Sequence, residues 1–99
     1  MKHLVQILLP VTRQPESARV FEALAKELTA RFGGVTSFVR TPAEGRWKSG
    51  ATTERDDIAV VEVMCDELDA PYWRDLRGRL ERDLGQEELV VRCHPLTLL

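Results

Sequence analysis

Two runs, residues 4–11 (LVQILLPV) and 56–65 (DDIAVVEVMC), carry apolar side chains at most of their positions. Strand side chains point alternately to opposite faces, so a strand with one wet face shows apolar and polar residues in turn. Neither run alternates in that way. Each is broken in its middle by one hydrogen-bonding residue, Gln6 in the first and Glu62 in the second. A sheet built around two such strands needs cover on both faces, and a chain of 99 residues has few helices to supply it.

The rest of the chain supplies two helices and two further strands. Pro15 stands at the start of a segment with Phe21, Leu24, Ala25, Leu28 and Phe32 at helical spacing, and Gly33 follows where a left-handed residue ends a helix. Asp69 is the expected N-cap of a second helix, with Pro71 in its first turn, a stripe of Trp73, Leu76, Leu80 and Leu84, and Gly85 as its stop. VTSFVR after the glycines is a second strand. EELVVRCH is a fourth, stopped by Pro95. Between the second and third strands, Ser49-Gly50 is a two-residue turn that predicts a protruding hairpin around residues 41–55. The order β-α-β-β-α-β predicts a single α+β domain over residues 1–99 of ferredoxin-like type, a four-stranded antiparallel sheet in order 4-1-3-2 with two helices on one face.

Composition is that of an ordinary globular domain, 43% hydrophobic and 30% charged, with a net charge of −2. That balance gives no field for phosphate backbones, so nucleic acid is not an expected partner. The opening apolar run is broken by Gln6 and ended by Pro10 and Arg13, too short for a signal-peptide core or a bilayer span; no membrane partner is expected and the chain is read as cytoplasmic. Cys65 and Cys93 have neither CxxC spacing nor metal-ligand neighbours. They are read as reduced thiols facing the helical layer, with no metal and no cofactor.

FGGVT at residues 32–36, GRW at 45–47 and VVEVM at 60–64 together resemble a group of small uncharacterised bacterial proteins with an F-G-G-x-T, a G-x-W and a Glu-containing strand on a ferredoxin-like scaffold. The resemblance implies that fold and the hairpin, and carries over no catalytic residue. The scaffold is also similar to dimeric α/β-barrel proteins, which include monooxygenases and isomerases, though a shared fold does not fix function.

Strand parity sorts the faces. Val5, Ile7, Leu9, Val61, Val63, Cys65, Leu89, Val91 and Cys93 are assigned to the helices. Leu4, Gln6, Leu8, Thr36, Phe38, Arg40, Ile58, Val60, Glu62, Met64, Val90, Arg92 and His94 face away. This second set is too apolar for open water and marks an interface or a ligand site. Glu62, Gln6 and Arg92 sit mid-strand and are expected to form a hydrogen-bonded row, either as a structural network at a subunit interface or with Glu62 as a general acid or base.

The candidate ligand or interface residues are therefore Gln6, Phe38, Arg40, Trp47, Glu62, Met64, Arg92 and His94. Trp47, flanked by Arg46 and Lys48 near the hairpin tip, is an anchor for its own domain, a partner subunit or a ligand. Cys93 and His94 are adjacent and so point to opposite faces. Glu54, Asp56 and Asp57 lack the spacing of a calcium loop. Arg74, Arg77, Arg79 and Arg82 alternate with Asp75, Glu81 and Asp83 as on a solvated helix face with i,i+4 pairs.

Two functions fit. The first is a homo-oligomeric, non-enzymatic module whose open sheet face is covered by a second copy, with a small-molecule ligand at the seam. The second is a small enzyme of the dimeric α/β-barrel type, with a pocket between sheet and partner lined by Phe38, Glu62, Arg92 and His94. The few polar residues include no nucleophile-base pair, which favours the module.

Overall fold

The computed structural model describes residues 2–11, 15–40 and 57–99. The hairpin expected around residues 41–55, with Trp47, lies outside the described residues, as do the side chains of Phe38 and Arg40. Strands β1 (Lys2–Val11), β2 (Thr36–Arg40), β3 (Asp57–Cys65) and β4 (Val90–Leu96) form one sheet in the order β2-β3-β1-β4. All three pairings are antiparallel. The helices are α1 (Pro15–Phe32) and α2 (Ala70–Leu84). Among the described residues no helix is long and apolar enough to cross a membrane.

Both helices end at glycines that take positive φ, Gly33 at 79° and Gly85 at 63°. A left-handed residue lets the chain turn back and satisfy carbonyls that the helix leaves open. Gly33 N–H donates to Thr29 O at 2.8 Å. After α2 the paired bonds run from Gly85 N–H to Arg82 O at 3.3 Å and from Gln86 N–H to Glu81 O at 2.9 Å. At the other end of α2, Asp69 Oδ1 accepts from Tyr72 N–H at 3.2 Å, the N-cap bond expected of that residue.

The core lies between the helices and one face of the sheet. Val5, Ile7 and Leu9 of β1 and Ala59, Val61, Val63 and Cys65 of β3 pack with Leu24 and Leu28 of α1 and Trp73, Leu76 and Leu80 of α2. Ala25, assigned to the buried stripe of α1, is exposed. Where α1 leaves the sheet, Phe32 stacks on Trp73 with centroids 5.2 Å apart and meets Tyr72 edge-on at 5.9 Å.

The expectation of a ferredoxin-like fold, a four-stranded sheet with two helices on one face, is corrected by the position of this core. The helix-facing core is carried by β1 and β3, whereas β4 contributes only the half-buried Val91. The bounds of β4 are corrected too. Residues 87–89 do not pair with β1, because Leu89 N–H donates to Glu81 Oε2 on α2 at 3.0 Å. The strand then runs through Pro95, which sits opposite His3. A residue without an N–H is tolerated on an edge strand, where one side of the backbone has no ladder to join. Cys93 has the parity of the helix-facing residues yet is exposed, since the helical layer stops short of it; Cys65 is buried. Both cysteines are free thiols.

Candidate functional site

The face of the sheet turned away from the helices is organised as three rows running across the strands. The central row is polar. Thr36 of β2, Glu62 of β3, Gln6 of β1 and Arg92 of β4 stand opposite one another in register. Gln6 Nε2 donates to Glu62 Oε2 at 2.7 Å, and Arg92 Nε donates to Gln6 Oε1 at 2.9 Å. The amide satisfies a carboxylate with one end and a guanidinium with the other, so the row runs from negative on β3 to positive on β4.

An apolar row lies on each side of it. One contains Met64, Leu4 and His94, and the other Val60, Leu8 and Val90, with Phe38 at the register position opposite Val60. Arg40 is paired with Ile58 further along β2 and β3. Met64 is 52% exposed and Val90 48%, while Leu4, Leu8 and Ile58 are half-buried. Val60 departs from its expected place in the open: it is 4% exposed within the single chain, closed in by its central position in the sheet. His94, on β4 at the sheet edge, is exposed and takes no part in the polar row.

At one end of this face the two glycines contribute directly. A pocket of about 490 Å³ is lined by Leu4, Phe32, Gly33, Gly34, Thr36, Glu62 and Met64 among others. The helix stop thus leaves an opening beside the Glu62 carboxylate, and a Cβ at Gly34 would meet nothing within 4 Å.

Sequence reasoning missed a second polar cluster on the helical side. Arg79 of α2 grips Glu27 of α1 with two bonds, Nη1 to Oε1 at 3.0 Å and Nη2 to Oε2 at 2.8 Å. Tyr72 O–H donates to Glu27 Oε2 at 2.6 Å, and Arg79 Nε reaches Asp75 Oδ2 at 3.2 Å. The Arg79 guanidinium holds the Glu27 carboxyl down at about 2, against partial burial that pushes it up. Partial burial and then the bond to Glu27 push the Tyr72 phenol up to about 12. Arg31 lies over the Tyr72 ring at 3.9 Å and donates to Asp69 Oδ2 at 3.2 Å. This cluster fastens the two helices together. The sequence carried one signal for it: Glu27 borders Leu28 on the buried stripe, at the depth where a carboxylate needs a partner.

Among the described residues, no group of three or more His, Cys, Asp or Glu side chains is placed to hold a metal ion. Comparison with known proteins found no matching family model, no matching curated protein and no matching solved structure.

Proposed function

We propose that the protein is a self-associating module that buries its open sheet face against a second copy, leaving the pocket beside Glu62 at the seam as the place for a small ligand. The observation that carries this reading is the charge order of the central row. A row that runs Glu62, Gln6, Arg92 is its own complement when the second copy is turned about a two-fold axis parallel to β1. That rotation sets Glu62 against Arg92 of the second copy and keeps the polar row on the polar row. It also keeps the apolar rows on apolar rows. An axis across the strands would instead set Glu62 against Glu62, which costs free energy in a desolvated interface. Two sheets so stacked keep their strands within about 30° of each other and interleave side chains over about 10 Å, the packing of a β-sandwich.

Glu62 is read here as the polar register pin of the interface, because its hydrogen bond goes to the amide of Gln6 and the pocket beside it is otherwise lined by apolar side chains, glycines and Thr36. A charge swap tests the arrangement. In sedimentation equilibrium, Arg92→Glu should raise the dissociation constant by at least about tenfold, as expected when a fully desolvated pair becomes two like charges. The double variant Arg92→Glu with Glu62→Arg should recover most of that loss. Equal association of the wild type and both variants would refute the pairing.

A further inference from the structure

On the other side of β4, away from the open face, α2 and the edge strand leave a groove of about 220 Å³. Val5, Trp73, Val91 and Cys93 give it an apolar floor, and Arg74 and Arg77 stand on its α2 wall. Arg92 also borders the groove, but its side chain is engaged with Gln6 on the opposite face, so its backbone is what the groove meets.

Of the three α2 arginines that pair with no described carboxylate, Arg74, Arg77 and Arg82, the first two line the groove. Arg79 and Arg31 each hold a carboxylate, whereas Arg74 and Arg77 make no ion pair with any described residue. The carboxylates nearest them in the chain are engaged elsewhere: Asp75 accepts from Arg79, Glu81 from Leu89 N–H, and Asp69 from Tyr72 N–H and Arg31. Of the i,i+4 pairing expected on this solvated face, the described residues show Arg79 with Asp75. Three residues apart, the two guanidinia lie on one side of α2, where like charges repel each other. Two cations held together over an apolar trough in a chain of net charge −2 are complementary to one kind of ligand, an anion with an apolar body.

We infer that this groove binds a small carboxylate carrying a short aliphatic or aryl group, with the carboxylate on Arg74 and Arg77 and the apolar body over Val91 and Trp73. At about 30 Å³ per water-sized group, the volume suits an apolar body of about seven non-hydrogen atoms. Arginine favours a carboxylate because its forked donors match two oxygens in one plane.

The test is a titration of the full chain with sodium octanoate, followed by amide and indole N–H resonances. Saturable shifts are expected at Val91, at Cys93 and at the Trp73 indole N–H. Octan-1-ol should bind at least about tenfold more weakly, having no charge for the arginines. The variant Arg74→Gln with Arg77→Gln, at exposed positions and with helix propensity kept, should weaken octanoate by about tenfold while its melting temperature stays within a degree or two. Absence of saturable shifts at the groove, equal binding of octan-1-ol, or unchanged octanoate affinity in the double variant would each overturn the inference.

Discussion

Replacing Glu27 by Gln separates the charge of the helix clamp from its shape. Gln keeps an oxygen for Tyr72 and the volume of the side chain, but removes the anion that Arg79 grips with two bonds. The carboxyl falls from 4.5 to about 2 in the folded chain, which at roughly 1.4 kcal/mol per pH unit sets a ceiling of about 3.5 kcal/mol. Glu27 and Arg79 are 34% and 39% exposed at the side chain, so solvent screens the pair and about 1 to 1.5 kcal/mol is the expected loss at pH 7. The sign follows from the direction of the shift. A depressed carboxyl stabilises the fold fully above its unfolded value of 4.5, and the contribution fades as pH falls toward the folded value near 2. Urea unfolding of wild type and variant at pH 7 and pH 3 measures this. The difference between them should be about 1 to 1.5 kcal/mol at pH 7, with less than half remaining at pH 3. A difference below about 0.3 kcal/mol at pH 7, or one that does not change between the two pH values, would refute the reasoning.

Two further outcomes follow from the backbone and the thiols. Gly33→Ala should cost about 1 kcal/mol in chemical denaturation, because φ is 79° while no atom within 4 Å obstructs a Cβ; a change near zero would contradict the left-handed helix stop. In the native protein Cys93 should react with iodoacetamide well before Cys65, which is buried and whose thiol burial pushes up. Peptide mass mapping would show this, and equal labelling of both, or a disulfide between them, would contradict the placement.

Much of the backbone was legible because its signals are local. Gly33 and Gly85 end helices for steric reasons that need no tertiary information, and Asp69 caps α2 by a bond three residues long. The polar row was legible for a different reason. Gln6 and Glu62 are lone hydrogen-bonding residues inside apolar strands, and each can be satisfied only by a neighbour across the ladder. What failed was the bookkeeping of exposure, since parity gives a face but not how far a helix reaches over it. Parity put Cys93 with the buried residues and Val60 with the exposed ones, and both assignments were reversed by distance from the sheet centre. The clamp and the arginine groove were illegible because they join residues of α1, α2 and β4 that are far apart in the chain. The alternation of charges along α2 looked like i,i+4 pairing, yet among the four arginines named there only Arg79 pairs with a described carboxylate, at Asp75 and Glu27.

The central claim is that a second copy covers the open sheet face, and the mass of the protein in solution tests it most directly. Met64 and Val90 lie about half exposed in the apolar rows, so Met64→Lys with Val90→Lys adds charge to the face without disturbing the core of the chain. Sedimentation equilibrium at micromolar concentration should give twice the 11.3 kDa chain mass for the wild type. The double variant should sediment at the chain mass with its helical circular dichroism unchanged. A wild type that sediments as a single 11.3 kDa chain, or a variant that keeps the doubled mass, would contradict the account.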